Sequence, residues 1–366
     1  MRSPTPAAAA ADVVPGNGGA GPLPAAASGK RARRAAPTAA PPAPLFAVIE
    51  DDLRRVEERL LVETRSEVGA VADIAGHTLL SGGKRLRPAL AVLCARVVGR
   101  EYPAERVIAA GTAAEMIHMA TLMHDDVVDE ARERRGRPTA GAVFGNGITV
   151  LTGDFLLAKS ISLLAHNDDN LDIVRVFSDV TVAMAEGEVL QAAVAHDLEI
   201  TPSTYEEVID RKTARFLAGC CETGGMLGGA RADERECLRA YGRDLGVAFQ
   251  IADDLLDLLG DPARTGKPLG TDLRDGRVTL PLIHALRAGD AADRALIRAT
   301  LSQPAIGEAG VAAVAAAVAR HGGFDAARCA AVERADRALT HLAPFPPGPH
   351  RDTLERLARY VVGRDH

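Results

Sequence analysis

A dense group of acidic residues opens the stretch from His124 to Thr139, HDDVVDEARERRGRPT, directly after the largely apolar run from Met116 to Met123. On a helix that turns about 100° per residue, Asp125 and Asp129 lie nearly one above the other and Asp126 lies about 100° round, so the three carboxylates share one side. Two carboxylates about 4 Å apart repel by roughly 4 kcal/mol at an effective dielectric constant near 20. The cluster is therefore either a cation site or a solvated surface.

A second acidic triplet repeats the first. Asp253, Asp254 and Asp257 again read DDxxD, inside the apolar stretch LGVAFQIADDLLDLLGD, where they share one stripe of the helix with Gly246 and Gln250. A polar stripe on an otherwise apolar helix indicates a cavity. Either triplet alone would favour a solvated face, whereas two identical triplets in two apolar helices favour a cation site.

The carboxylate clusters have no His or Cys ligand beside them, which suits a hard cation, Mg²⁺ first, because Mg²⁺ accepts one or two carboxylates together with phosphate oxygens and water. A phosphate-bearing ligand would need basic partners, and Gly82-Gly83 would let backbone N–H groups approach it closely. A basic run is more often ordinary solvent-exposed surface, as we expect of Arg132. These basic residues are candidates for binding phosphate only because they occur together with the two acidic clusters. The candidates are Lys84, Arg85 and Arg87 in GGKRLRP, Arg134, Arg135, Lys212 and Lys267.

Among the histidines, only His118 is a candidate site residue. His118 lies on the same helical face as Asp125, two turns earlier. It is either a core histidine or, if it faces the cavity, a hydrogen-bond donor to a second diphosphate. For His124 and His196 we expect structural roles.

From Leu45 onwards the chain reads as successive helices, because apolar residues recur at spacings of three and four and few segments alternate. An all-α fold follows. Thr201-Pro202-Ser203 predicts a helix start before Tyr205. The Gly-, Pro- and Asp-rich segment from Gly260 to Gly276 predicts a long binding loop. The predicted helices are Val48 to Val71, Ala89 to Val98, Val107 to Glu130, Leu151 to Leu164, Ile173 to Ala193, Tyr205 to Gly224, Glu234 to Leu259, Leu280 to Ala288, Val311 to Arg320, Ala326 to Leu342 and Arg351 to Val362.

Composition sets further bounds on the 366 residues. The net charge of -6 gives no global electrostatic reason to expect a nucleic-acid partner. Five scattered cysteines without a CxxC pair predict a reduced, intracellular protein, and we expect a cytoplasmic location. No run approaches 18 uninterrupted apolar residues, so a transmembrane helix is not expected. Residues 1–44, rich in Ala and Pro, predict a disordered tail, with an organelle transit peptide as the alternative, before one domain at residues 45–366.

Several motifs resemble, in order, those of the trans-isoprenyl diphosphate synthases, and most resemble the long-chain subgroup that makes quinone side chains. The resemblance runs from about Leu79 to Leu286. It rests on GGKRLRP, Glu115-x-x-His118, DDVVDEARERRGRPT, GDFL from Gly153, EGEVLQ from Glu186, KTA from Lys212, and GVAFQIADDLLD through GKPLGTDLRDG.

This resemblance implies an all-α bundle around a deep central cavity, a homodimer, and the condensation of isopentenyl diphosphate onto an allylic diphosphate. Mg²⁺ would be held by Asp125, Asp126, Asp129, Asp253 and Asp257, with Asp254 and Lys212 completing the catalytic group. The allylic diphosphate would contact Arg134, Lys212, Lys267, Thr213 and Gln250. Isopentenyl diphosphate would contact Gly83, Lys84, Arg87, His118 and Arg135. Peripheral membrane contact would help to release an apolar product.

Product length is expected to depend on residues just before the first triplet, where bulky aromatics close the tunnel in short-chain members of the family. Thr121, Ala120 and Ile117 are not aromatic, which favours long products. A farnesyl or geranylgeranyl diphosphate synthase is the alternative. A terpene cyclase is less favoured, because the second motif is another DDxxD and aromatics make up only 3% of the chain. A noncatalytic synthase subunit is also less favoured, because all the motif residues are present.

Overall fold

The computed structural model describes residues 45–134, 136–167, 171–260 and 269–363, and all of them belong to a single compact unit. The predicted tail at residues 1–44, and the candidate ligands Arg135 and Lys267, lie outside the described residues.

The described part of the chain is almost entirely helical, which confirms the all-α prediction. Its one sheet is a hairpin of two-residue antiparallel strands, β1 (Glu133–Arg134) and β2 (Arg137–Pro138). The helices are α1 (Glu50–Glu63), α2 (Gly69–Leu80), α3 (Leu86–Val98), α4 (Ala104–Val128), α5 (Ala140–Phe144), α6 (Asn146–Asn167), α7 (Asp172–Ala193), α8 (Pro202–Ile209), a π-helical turn (Asp210–Ala214), α9 (Arg215–Leu227), α10 (Ala232–Leu259), α11 (Thr271–Arg274), α12 (Leu280–Ala288), α13 (Ala291–Leu301), α14 (Glu308–Arg320), α15 (Gly323–Thr340) and α16 (Pro349–Val362).

Local side-chain hydrogen bonds explain where some helices begin and end. The predicted start of α8 is confirmed, because Thr201 accepts from the Thr204 N–H at its N-cap and Pro202 occupies the first turn. The single helix predicted from Val48 to Val71 is wrong, since α1 ends at Glu63 and α2 begins at Gly69. Thr64 Oγ1 bonds back to the Leu60 carbonyl, and Ser66 Oγ accepts from the Val68 N–H. These bonds stabilise a turn in place of a continued helix.

Two apolar clusters form the core, and α10 belongs to both of them. One face of α10, including Leu245 and Ala248, packs in the cluster formed by α3, α4, α6 and α9. Another face, including Ile251 and Leu255, packs in the cluster formed with α12 to α15. The acidic stripe of α10 is therefore held rigidly between two cores. Helix α4 crosses the first cluster and is buried on nearly all sides before its acidic end.

One stretch of the described residues, Asn146–His166 in α6, has the length and apolar composition of a membrane-spanning segment, although its apolar run is interrupted. Two of its charged side chains form ion pairs with other helices, Asp154 with His124 and Lys159 with Glu63. The helix packs along α4 in the core, and 39% of the stretch is buried. All five cysteines lie in the described part of the chain and are free, as the absence of a CxxC pair predicted.

Candidate active site

The first acidic triplet lies at the C-terminal end of α4, where the helix emerges from the core. Asp126 is 8% exposed and accepts a hydrogen bond of 2.7 Å from Arg134 Nε. The β1–β2 hairpin makes this pair possible, because it folds the chain back toward the end of α4 within eight residues. Asp129 follows the last turn of α4 and is exposed to solvent. The triplet therefore bridges the protein interior and its surface.

Asp125 is a member of the triplet whose charged form is destabilised by its surroundings. Burial raises the pKa of Asp125 to about 6, and the negative charges of Glu188 and Asp129 act in the same direction. The positive charges of Lys212 and Arg134 lower the pKa without cancelling that effect. A further cation beside Asp125 would therefore stabilise its carboxylate.

Lys212 reaches the site from the π-helical turn between α8 and α9. Its Nζ lies 2.5 Å from Glu188 Oε2 on α7. Two glycines let neighbouring helices approach this turn, since a Cβ at Gly187 would lie 2.8 Å from the Lys212 nitrogen and a Cβ at Gly246 would lie 2.5 Å from the Ala214 Cα. The EGE sequence of α7 therefore supplies both the space and the carboxylate that position Lys212.

The three residues of the second triplet differ in burial. Asp254 is only 4% exposed, and its oxygens accept hydrogen bonds of 2.6 Å from Tyr205 Oη and 2.9 Å from Gln250 Nε2. Gln250 Oε1 in turn accepts from Thr213 Oγ1 at 3.0 Å. Burial, followed by the charge of Asp272, raises the pKa of Asp254 well above its usual range, although the hydrogen bonds to Tyr205 and Gln250 act in the opposite direction. This chain of bonds ties α10 to α8 and the π-helical turn.

Asp257 organises the segment that returns after α10. Its two carboxylate oxygens accept from the backbone N–H groups of Thr271 and Asp272, at 3.1 and 3.2 Å. Because these groups begin α11, Asp257 caps that short helix. Asp253 is partly buried on the same stripe of α10. The metal-ligand roles of Asp253 and Asp257 and the catalytic role of Asp254 stay predictions.

Arg277, which the sequence interpretation did not single out, joins the two acidic regions. Its guanidinium donates to both oxygens of Asp129, at 3.1 and 3.0 Å, and to Asp272 Oδ1 at 3.2 Å. Asp272, Tyr205 and Glu188 were also assigned no role. The only available signal was the position of Asp272 and Arg277 in and just after the DLRDG motif, and Glu188 in EGEVLQ.

A cavity of about 90 Å³ lies between these elements. Part of its lining is polar and part is apolar, and the apolar part comes mainly from α8 and from the segment between α7 and α8. The polar lining includes Gln191, Lys212, Gln250, Asp254, Asp272 and Arg277, and the apolar lining includes Val194, Ile200, Val208, Ile209 and Val278. Lys212 and the second acidic region therefore line a single space, and Arg277 connects that space to Asp129 of the first triplet.

The GGKRLRP segment lies at the start of α3, where Lys84 is exposed and Arg87 is partly buried. Arg85 has a left-handed backbone, with φ 49°, and its guanidinium donates to Glu115 Oε1 at 2.8 Å. Both side chains of this pair are largely buried, 11% and 5% exposed, so the ion pair anchors the segment. The Arg87 guanidinium carbon lies 4.7 Å from the centroid of the Phe216 ring.

The residues assigned to product length lie one turn before the first triplet and deeper along α4. Ile117 and Ala120 are buried, and Thr121 is partly buried with its hydroxyl bonded to the His118 carbonyl. His118 is partly buried on the same helix. The roles predicted for all four residues stay predictions. His124 bonds to the Val150 carbonyl and Asp154, the kind of contact expected of a structural histidine.

The donor set fits a divalent cation. The carboxylates of Asp125, Asp126, Asp129 and Glu188 outnumber their cationic partners Lys212, Arg134 and Arg277, and every donor is a carboxylate oxygen, the ligand that Mg²⁺ and Ca²⁺ prefer. Asp125, Asp126 and Asp129 are the residues that the sequence predicts to hold such an ion, while Asp257 would have to share its oxygens with the backbone of α11.

Comparisons with known proteins show which family the chain belongs to. A sequence profile of the polyprenyl synthetase family matches residues 69–318. The octaprenyl diphosphate synthase of Escherichia coli (strain K12) is 40% identical over 314 residues, which cover 86% of this chain and 96% of that protein. This similarity supports the resemblance to the long-chain subgroup.

Solved structures share the fold. A decaprenyl diphosphate synthase from Rhodobacter capsulatus superposes with a TM-score of 0.83 at 38% identity, covering 89% of this chain and 100% of that one. A polyprenyl synthase from Caulobacter crescentus CB15, complexed with calcium and isoprenyl diphosphate, has a TM-score of 0.84 at 35% identity, covering 88% and 97%. The chain therefore belongs to the polyprenyl synthetase family, a family of prenyltransferases, as its motifs predicted.

Proposed function

We propose that the protein is a Mg²⁺-dependent synthase that adds isopentenyl diphosphate repeatedly, by head-to-tail 1'-4 condensation, to an allylic diphosphate. The product would be an all-trans long-chain polyprenyl diphosphate, a precursor of a quinone side chain. The observation that carries the proposal is that Lys212, Asp254 and Arg277 line one cavity of mixed polar and apolar character, while Arg277 also binds Asp129 of the first triplet. The octaprenyl and decaprenyl relatives support the long product.

The allylic diphosphate would bind at the polar side of the cavity. Asp125, Asp126, Asp129, Asp253 and Asp257 would hold Mg²⁺, whose charge would stabilise the leaving diphosphate. Lys212 and Arg134 now pair with Glu188 and Asp126, and either cation can turn to a diphosphate oxygen without leaving the site. Lys267 would add a further positive charge.

Isopentenyl diphosphate would bind beside the start of α3. The exposed Lys84 would contact its diphosphate from the solvent side, while Gly83 offers a backbone N–H. Arg87, stacked on Phe216, presents a fixed guanidinium, and His118 can donate one hydrogen bond. Arg135 completes this set. The buried Arg85–Glu115 pair keeps the segment in place.

The reaction needs no side-chain nucleophile. Ionisation breaks the allylic C–O bond and leaves its electron pair on the diphosphate, which the cationic side chains stabilise. The apolar side of the cavity excludes water from the carbocation. The isopentenyl double bond then attacks C1, and loss of one proton to the released diphosphate forms the new double bond. Each cycle therefore lengthens the chain by one isoprene unit.

Purified protein tests the proposal directly. With farnesyl diphosphate, labelled isopentenyl diphosphate and Mg²⁺, we expect products longer than geranylgeranyl diphosphate, and EDTA should abolish them. Asp125→Ala should reduce turnover by several orders of magnitude while circular dichroism stays unchanged. Products that stop at geranylgeranyl diphosphate would identify the short-chain alternative, and cyclic hydrocarbons would identify a terpene cyclase. If no label is incorporated, the protein is a noncatalytic subunit.

We further propose that the active form is a homodimer. Large apolar side chains are exposed at helical spacings on α6 and α7, with Ile148 and Leu151 at 37% and 66% and Val182 and Val189 at 56% and 71%. A second copy of the chain would bury these stripes. Light scattering after gel filtration should give twice the mass of the chain, and Leu151→Asp should shift the protein toward the monomer.

We also propose that the enzyme is cytoplasmic and touches a membrane only peripherally, to release its apolar product. The free cysteines are consistent with a reducing compartment. Fractionation of cells and sedimentation with lipid vesicles would test the two statements separately. A tight, salt-resistant association with vesicles would contradict a peripheral contact.

A further inference from the structure

Arg277 lies on a segment whose backbone is fixed. The Gly276 carbonyl accepts from the His196 N–H at 2.8 Å, and the Arg277 N–H donates to the Asp272 carbonyl, also at 2.8 Å. Gly276 has φ 72°, and a Cβ there would lie 2.3 Å from the His196 ring, so only glycine fits. The Cα of Arg277 is therefore held in one place, and only its side chain is free to exchange partners.

That side chain is enclosed by acceptors. The guanidinium donates to both oxygens of Asp129 and to Asp272, and it lies 3.5 Å from an oxygen of Asp275. With its amide oriented so that the oxygen faces the cations, Gln191 accepts from Arg277 Nε and from Lys212 Nζ, each at 3.2 Å. Asp129 thus gives both of its oxygens to Arg277, and the other contacts keep the guanidinium directed at it.

Arg277 carries a permanent positive charge, because an arginine guanidinium is not deprotonated in proteins. A divalent cation beside Asp129 would be repelled by this charge as long as the guanidinium holds both carboxylate oxygens. Asp129 therefore accepts another cation favourably when the guanidinium moves to a different acceptor. Asp272 and Asp275 are within reach, and a bound diphosphate would offer several more oxygens.

We propose that Arg277 is a positioning residue that occupies Asp129 in the metal-free enzyme, so that a divalent cation reaches Asp129 only in exchange for the guanidinium. The exchange is favoured when a diphosphate arrives, because the diphosphate accepts the displaced guanidinium. Metal and diphosphate binding are thereby coupled, and metal alone binds weakly. The inference rests on the proposed function, since it assumes that Asp129 belongs to the metal site.

Mn²⁺ binding to the full-length protein, followed by electron paramagnetic resonance without any substrate, tests the coupling independently of activity. We expect Arg277→Gln to bind Mn²⁺ about tenfold more tightly than wild type, a difference of about 1.4 kcal/mol. Added inorganic diphosphate should then tighten Mn²⁺ binding less in Arg277→Gln than in wild type. Unchanged or weaker Mn²⁺ binding by Arg277→Gln would overturn the proposal.

Arg239→Gln is the matched control, because Arg239 also makes two hydrogen bonds to one carboxylate, that of Glu236, on the first turns of α10. It should bind Mn²⁺ like wild type. Arg277→Lys keeps the positive charge but lacks the planar guanidinium, so its affinity for Mn²⁺ should be intermediate. This variant also tests the proposal if Arg277→Gln folds poorly.

The Arg277→Gln substitution in an Asp129→Asn background distinguishes exchange at Asp129 from a general electrostatic effect of the Arg277 charge on the acidic cluster. If Arg277 acts through Asp129, adding Arg277→Gln to Asp129→Asn should leave Mn²⁺ affinity unchanged. If the added substitution still tightens binding about tenfold, the guanidinium acts on the whole acidic cluster and the exchange mechanism is wrong. A failure of the metal site itself has a different signature, because then no variant would bind Mn²⁺ even with inorganic diphosphate present.

Discussion

A series of phenylalanine substitutions along α4 tests whether product length is set by the distance from the reacting carbon to the tunnel floor. Counting back from Asp125 at about 1.5 Å per residue, Thr121 lies about 6 Å along the axis, Ile117 about 12 Å and Ala114 about 17 Å. An isoprene unit adds four carbon–carbon bonds of about 1.5 Å, and so about 5 Å of roughly extended chain. Moving a plug by one helical turn should therefore change the product by about one isoprene unit.

We expect Thr121→Phe to give the shortest product, Ile117→Phe one about one unit longer, and Ala114→Phe one about one unit longer again. Product lengths would be measured by reversed-phase thin-layer chromatography after dephosphorylation of labelled products. Thr121 is only partly buried, so its variant should fold normally. Ile117 and Ala114 are fully buried, and overpacking there is expected to cost about 1–3 kcal/mol.

Ala335→Phe on α15 controls for overpacking alone, because Ala335 is also buried but belongs to a helix without any assigned site residue. It should lower stability and leave product length unchanged. The reasoning would be refuted if the three α4 variants gave the same product as wild type, or if product length did not follow the order of the positions along the helix.

Three further predictions concern the residues that hold the site. Because burial raises the pKa of Asp125 to about 6, the folded state binds a proton that the unfolded chain loses above about pH 4, and stability falls as pH rises through this window. Asp125→Asn in EDTA should therefore be more stable than wild type at pH 7.5, by up to about 3 kcal/mol, and equally stable near pH 4; equal urea midpoints at both pH values would contradict this. Tyr205→Phe removes the 2.6 Å hydrogen bond to buried Asp254 and should cost about 1.5–3 kcal/mol in urea denaturation, whereas a loss below about 0.5 kcal/mol would mean that the bond is unimportant. Gly246→Val would place a side chain against the π-helical turn and should lower both the melting temperature and Lys212-dependent turnover, while Gly307→Ala, which meets open space, should change neither.

Local patterns in the sequence were sufficient for the fold class and for one side of the site. Apolar spacing predicted α4 and α10, and the period of the helix placed Asp125, Asp126 and Asp129 on a common side. The helix N-cap at Thr201 could also be predicted from the sequence, because the N-cap and the first-turn proline lie within four residues of each other. These features depend on neighbours in the chain, which one sequence reveals directly.

Contacts between distant elements could not be read in this way. Arg277 and Asp129 are 148 positions apart, and Tyr205 and Asp254 are 49 apart, so no periodicity relates them. The π-helical turn depends on how closely α7 and α10 approach it through their glycines, which is a property of tertiary packing. The burial of Asp254 against Tyr205 likewise depends on how α8 packs against α10.

The π-helical turn makes the number of residues between Pro202 and Leu227 a constraint in its own right. A π turn contains one residue more than an α-helical turn and absorbs it locally, so the helices on either side stay aligned. Deleting one residue there would close the widened turn to regular α geometry, while α9 stays held in the core by α3 and α10. Lys212, which lies within the turn, would then move relative to Glu188 on α7. Substitutions in this stretch should therefore be tolerated far better than any change in its length.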